Sequence, residues 1–289
     1  MPTTSPTVAN WDLMKRIRDR AALRGVTAKK IAGALGFTPQ YISLLMNGKG
    51  VLANDKLEIL INLLEFDKVE HAEMLDLREI AKEPRPYAKY SGLFDDNLMR
   101  LYGLEAGAHS IRTFEPNVVP GLLQTEDYAR DLISSTVTIS LPTEVDQRVE
   151  VRAARGLLLT GPEPLDKLSV VMGQAVLMQE VGGPEIHRGQ LHYLRDLVEQ
   201  HPDRLDLRIV PFKAGGVVAS LNSATYHLLD FESGRLPTLG WIDSALWGEV
   251  IEAPEDVNRL AYKYKQMQAI ALGREESSQL IDQLARQIG

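Results

Sequence analysis

Between Val26 and Lys49 the chain reads VTAKKIAGALGFTPQYISLLMNGK, a stretch whose capping residues and glycines dictate where short helices start and stop. Thr27 is a good N-cap. Ile31, Ala32 and Leu35 give one apolar face, and Gly36 closes the run after barely two turns. In Phe37-Thr38-Pro39-Gln40, Thr38 can cap a second helix and Pro39 takes its first position, where a missing N–H costs nothing. Phe37 is placed to staple onto Ile42. The second helix then begins at Pro39 and stops at Asn47-Gly48. Two short helices joined by a tight glycine turn make a helix-turn-helix.

The flanks extend this into a five-helix unit. Residues 11–24 form a helix with Leu13, Ile17 and Ala21 as its buried stripe and Gly25 as its stop. After the helix-turn-helix, Asn54 is expected to cap a fourth helix with Leu57, Leu60, Ile61 and Leu64 inside, and residues 69–82 a fifth. Glu83-Pro84-Arg85-Pro86 breaks that helix and reads as a linker, so the domains are placed at 1–83 and 84–289.

Helical periodicity also predicts what the third helix exposes. Ile42, Leu45 and Met46 form its core stripe, which puts Gln40, Ser43, Leu44 and Asn47 on the opposite side. A helix lying in the major groove uses such a face: an amide can bond adenine N6 and N7, and an aliphatic group can meet a thymine methyl. Gln40, Ser43 and Leu44 are therefore the expected base contacts. Lys29 and Lys30 sit in the first turn of the preceding helix, where the dipole disfavours positive charge by about 0.3–1 kcal/mol each, so a compensating anion is expected. In this motif that helix crosses the DNA backbone, which assigns both lysines to phosphates. Lys49 in the next loop joins them, and Thr38, Tyr41 and Asn47 complete the expected phosphate-contacting set.

Charge is distributed unevenly along the chain. The total is -7, but residues 1–56 hold nine Lys and Arg against three acids, a net +6 that leaves -13 for residues 57–289. A basic module attached to an acidic one is the expected picture. Cysteine is absent, which removes disulfides, thiolate nucleophiles and cysteine-bound zinc. The opening residues are polar, and no later run approaches the roughly 18 apolar residues of a membrane span, so a cytoplasmic protein without membrane contact is expected.

The string from Val26 to Lys49 resembles the Xre family of bacterial and phage repressors, through Thr27, Ile31-Ala32, Leu35-Gly36, Ile42-Ser43 and Asn47-Gly48. The resemblance implies an all-α, lambda-repressor-like five-helix DNA-binding domain. It departs from the family at Ala28, where a glutamine often helps orient DNA contacts.

The rest of the chain mixes helix and strand. Helices are expected at 95–106, 126–134, 146–158, 185–200, 254–272 and 275–288, and strands at 168–172, 205–211, 224–231 and 238–242. This predicts an α+β domain with helices packed on a mostly antiparallel sheet. It resembles the C-terminal antitoxin-like regulatory domain that follows Xre modules in many actinobacterial proteins, through VVPGLLQTEDYAR (Val118 to Arg130), the Arg152 to Leu159 segment, VGGPE (Val181 to Glu185) with Gln190-Leu191, and IVPFKAGG (Ile209 to Gly216). That resemblance implies a regulator, often paired with a small protein. Thr125 caps a helix opened by Glu126 and Asp127, so this motif serves packing or binding equally well.

Catalytic signatures are missing: no HExxH, Walker or GxSxG pattern occurs. His187 and His192 lie about 140° apart on a helix, off any common metal-binding face. Gly182, Gly183, Gly215 and Gly216 read as punctuation, not as a phosphate cradle. The expectation is a homodimeric regulator of double-stranded DNA transcription without enzymatic activity, cofactor or metal. Its second domain takes a small protein partner or a small-molecule effector, with an unrecognised enzyme in that domain as the alternative.

Overall fold

The first helix of the computed structural model starts before its apolar stripe. Ser5 caps it, Oγ accepting from the Val8 N–H at 3.2 Å, Pro6 takes the first position, and α1 runs Pro6–Leu23. The expected start at residue 11 is thus five residues late, because Ser5-Pro6 is itself a start signal. Residues 4–46, 48–135, 141–214, 224–244 and 247–288 are described here, and the chain divides into two units, Met1–Ala88 and Lys89–Gly289.

In the first unit α2 spans Ala28–Leu35, with Thr27 Oγ1 accepting from the Lys30 N–H and Gly36 in the left-handed region at φ 69°. α3 spans Pro39–Met46, and Thr38 Oγ1 accepts from the Tyr41 N–H at 3.2 Å. α4, Asn54–Leu63, corrects one expectation: Ala53 is the N-cap and makes no side-chain bond, while Asn54 already lies inside the first turn. Asp67 and Glu70 form a reciprocal capping box that starts α5, Lys68–Ala81. Leu13, Ile17, Leu35, Ile42, Leu45 and Leu57 meet in one core, each contributing about 1.5–3 kcal/mol by leaving water.

The second unit is built on one mixed sheet. Its strands are β1 Ser110–Glu115, β2 Lys167–Gly173, β3 Leu205–Val210, β4 Tyr226–Asp230, β5 Leu239–Asp243 and β6 Gly248–Ile251, in the order β3-β2-β1-β4-β5-β6. β1, β2 and β3 are parallel, whereas β1-β4, β4-β5 and β5-β6 pair antiparallel. Parallel neighbours need long crossovers. α7 (Glu126–Ser134) and α8 (Pro142–Thr160) lie in the chain between β1 and β2, and α9 (Gly183–Gln200) between β2 and β3. α6 (Asp96–Glu105) precedes the sheet, and α10 (Pro254–Ile270) and α11 (Arg274–Gln287) follow it. The α+β class is as expected, as is a majority of antiparallel pairings, but β1 and β6 are additional to the expected strands and β1, β2 and β3 pair in parallel.

Alternation along β1 divides the core. Ile111 joins Leu168, Val170 and Met172 against Leu191, Leu194 and Ile281 on one face. Phe114 joins Tyr226 and Leu228 against Val257, Tyr264 and Met267 of α10 on the other. Among the described residues no helix is long and apolar enough to cross a membrane.

Two glycines of the first unit give opposite expectations. Gly36 needs its positive φ, whereas Gly33 lies inside α2 with open space where a Cβ would go. Gly36→Ala should cost about 1 kcal/mol and Gly33→Ala should gain about 0.5–1 kcal/mol. Thermal or urea unfolding of the intact chain checks both, and changes of the same sign would contradict this account of the turn.

Candidate functional site

α3 presents a mixed outward face. Ile42 and Leu45 are each 2% exposed, Leu44 is 46% and Tyr41 45% exposed, and Gln40 and Ser43 face solvent. Met46, assigned to the core stripe, is half-buried. The face therefore combines an amide, a hydroxyl and an aliphatic group. The Phe37 ring meets Tyr41 edge-on at 4.8 Å, which steadies the turn between α2 and α3. Thr38 is exposed, and its oxygen accepts the capping bond from Tyr41. Asn47, expected to meet phosphate, lies outside the described residues.

The loop after α3 is tethered from elsewhere in the unit. Asn10, 2% exposed, donates through Nδ2 to the carbonyls of Gly48 (3.3 Å) and Gly50 (3.0 Å). Arg85 donates to Gly48 O at 3.1 Å, and Arg78 Nε to Leu52 O at 2.7 Å. Arg18 donates to Met46 O and so covers the C-terminal end of α3. Lys49 is exposed on this loop.

The basic residues sort into two groups. On α1, Arg16 pairs with Asp12 (3.0 Å) and Glu73 (2.5 Å) and Arg20 with Glu70, and Arg24, at the C-cap of α1, pairs with Glu65. Those charges are used inside the unit. Lys29 and Lys30 are exposed and make no ion pair among the described residues. Counted over Met1–Ala88, thirteen Lys and Arg face eleven Asp and Glu, a net +2, with -9 in the remainder. The asymmetry is smaller than residues 1–56 imply, because the acids that neutralise α1 lie on and before α5.

The second unit contains a buried charge cluster that the sequence reading did not single out. Arg148, Arg152 and Arg155 recur at i, i+4 and i+7 on α8. Arg155 donates to both oxygens of Glu105 at 2.9 Å, in a pair with side chains 8% and 2% exposed, and its guanidinium lies 4.3 Å from the Tyr102 ring centroid. Arg148 lies 4.9 Å from the Phe94 ring centroid and donates to Leu93 O at 2.6 Å. Arg152 donates to Gln124 Oε1 at 3.0 Å, and Gln124 Nε2 donates to Val119 O at 2.6 Å.

PGLLQTEDYAR closes over these arginines. A Cβ at Gly121 would lie 2.7 Å from a terminal nitrogen of Arg152 and 3.2 Å from one of Arg155, so both guanidiniums press on the turn where it lacks a side chain. Gln190 of α9, fully buried, fixes the same turn: Nε2 donates to Leu123 O at 2.8 Å and Oε1 accepts from the Thr125 N–H at 2.7 Å. Three of the stretches that carry the second resemblance thus meet in one place.

The sheet supplies Glu115 of β1, His227 of β4 and Asp243 of β5. Glu115 accepts from Thr225 Oγ1 at 2.6 Å. Burial pushes its pKa from 4.5 up to about 7, with Asp243 adding repulsion and Thr225, Arg152 and Arg155 opposing. Burial holds His227 down at about 4. Asp243 is also raised, chiefly by loss of solvent. His187, by contrast, is a core histidine with Nε2 3.0 Å from Leu177 O, and no group of three metal-ligating side chains occurs among the described residues. Gly182 and Gly183 both have positive φ and start α9, while Gly215 and Gly216 lie outside the described residues.

Residues 12–74 match a helix-turn-helix domain, which makes the first unit one of the class that DNA-binding regulators carry. Residues 98–283 match a domain of unknown function (DUF5753), and the chain belongs to that family. No curated protein and no solved structure matches it significantly.

The titration of Glu115 has a defined sign. A carboxyl whose folded pKa is raised stabilises the fold most below pH 4.5 and loses that contribution as pH rises through about 7. The shift corresponds to about 3 kcal/mol. Glu115→Gln should remove it, so that between pH 5 and 8 the wild-type second unit loses about 2.5 kcal/mol relative to the variant. Urea melts of both chains at the two pH values check this, and parallel pH slopes would rule it out.

Proposed function

We propose that this chain is a sequence-specific, DNA-binding transcriptional regulator that reads an operator in double-stranded DNA with α3. One observation carries the reading: Leu44 stands exposed on the same face as Gln40 and Ser43, and at the start of the preceding helix Lys29 and Lys30 lack acidic partners among the described residues. Gln40, Ser43 and Leu44 meet bases, and Lys29, Lys30, Thr38, Tyr41, Asn47 and Lys49 meet phosphates. The Xre-like pattern from Thr27 to Gly48 supports this placement.

The protein acts in the cytoplasm as a homodimer on two half-sites about one DNA turn apart, since a single small module contacts few base pairs. Its acidic, antitoxin-like second domain receives a signal and performs no catalysis. The net -9 outside the first unit favours a small basic protein as partner. A small-molecule effector is the second reading, favoured by the desolvated charges around Arg152.

Base and phosphate contacts respond differently to substitution. Gln40→Ala should lose about 1–3 kcal/mol on the selected operator and little on random DNA. Lys29→Ala and Lys30→Ala should weaken both alike and flatten the salt dependence of binding. Fluorescence anisotropy at several salt concentrations separates the two, and the same loss from both kinds of variant would reject the assignment of faces. Sedimentation of the operator complex should give two protein chains per site; tight binding of one chain to one half-site would exclude the dimer.

A further inference from the structure

Arg152 differs from the arginines on either side of it. Arg155 has Glu105 and the Tyr102 ring, and Arg148 has the Phe94 ring and a carbonyl. Among the described residues Arg152 makes no ion pair within 4.0 Å and stacks on no ring; its hydrogen bond goes to the neutral amide oxygen of Gln124, with Tyr102, Glu115 and Glu105 contributing to the field around it. It is half-buried, and loss of solvent holds its pKa down; Tyr102 opposes that shift, the neighbouring Arg155 guanidinium adds to it, and Glu115 and Glu105 oppose it further. His227 is likewise half-buried yet strongly desolvated, Glu115 is 4% exposed, and Asp243 is exposed. Glu115 and Asp243 both meet Thr225, the first through its hydroxyl and the second by donating its N–H to the carbonyl, so the two carboxyls stand together at one end of the sheet, on the side of Arg152.

We propose that these groups, between α6, α8 and the β1-β4-β5 part of the sheet, line a recess that binds an organic carboxylate through the remaining N–H groups of Arg152. The guanidinium fork matches a planar carboxylate, and a buried guanidinium gains most from an anion that replaces lost water. A phosphate dianion fits less well. Arg155 is already committed to Glu105, so one available cation would face two ligand charges with Glu115 and Asp243 nearby. Binding a carboxylate also accounts for the convergence of Gly121, Gln124 and Gln190, which shape the wall that orients Arg152.

The site carries its own pH dependence. Glu115 is faced by Asp243 from β5, Arg152 and Arg155 from α8, Tyr128 from α7 and the Thr225 hydroxyl, while Glu105 from α6 and His227 from β4 act on Arg155 and on each other beside them. When Glu115 takes up its proton near pH 7, a negative charge leaves the recess and an anion binds more tightly, so affinity rises from pH 8 to pH 6.

The inference rests on reading the second domain as a sensor, and it is tested without DNA, so its failure leaves operator recognition standing. Acetate, benzoate and inorganic phosphate are titrated separately into the intact chain by calorimetry at pH 6 and 8. Saturable binding of a carboxylate is expected, tighter than phosphate and tighter at pH 6. Arg152→Gln should weaken it about tenfold or more. Glu115→Gln, which keeps Arg152, should bind at pH 8 as wild type does at pH 6, and this second variant serves if the first does not fold. Wild-type affinity in Arg152→Gln, an unchanged pH dependence in Glu115→Gln, phosphate as the preferred probe, or no saturable binding by any probe would each overturn the proposal.

Discussion

The second unit is organised around the ion pair between Arg155 and Glu105. Both side chains are almost fully removed from water, and such ions cost several kcal/mol each to desolvate unless the geometry is good. Here it is good: two parallel N–H···O bonds at 2.9 Å, with the Tyr102 ring against the guanidinium. Removing either partner would strand a charge, typically at about 3–5 kcal/mol. The pair joins α8 to α6. It also brings the next arginine on the same helix face against Gly121, so the shape of PGLLQ follows from a charge buried on another element.

Legibility followed the range of the interactions. α2, α3 and α7 begin where a threonine caps them, and a cap acts over three residues, so Thr27, Thr38 and Thr125 could be read directly. The outward face of α3 was legible for the same reason, as helical period alone separates Ile42 and Leu45 from Gln40, Ser43 and Leu44. β1 was not. Ser-Ile-Arg-Thr-Phe-Glu alternates like a surface strand, yet it lies inside the sheet because Arg112 is neutralised bidentately by Asp230 on β4 and Glu115 is bonded by Thr225. Those partners are more than a hundred residues away. The row Arg148, Arg152 and Arg155 reads locally as a solvated helix face, and only Glu105 and Glu115, brought in by the fold, give it another meaning.

The two units use charge in different ways. In the first, α1 and α5 exchange ion pairs at partly exposed positions, where each contributes about 0–1 kcal/mol and mainly cancels charge. What remains is a local excess at Lys29 and Lys30, exposed in the first turn of α2. In the second, ions are buried among one another, and a change in protonation at one, such as Glu115, alters the field at its neighbours.

The pairing of β1 also sets an order of assembly. Ser110 lies opposite Asp230, and the strand's other neighbour begins at Lys167, so the middle of the sheet closes only when distant chain is present. α1 to α5 make their contacts within the first 88 residues. Low contact order favours fast folding, and synthesis proceeds from the N-terminus at about 5–20 residues per second. On the ribosome the helical unit is therefore finished several seconds before the strand that completes the sheet emerges. A nascent or prematurely ended chain carries a folded helix-turn-helix with a sheet that still lacks its middle.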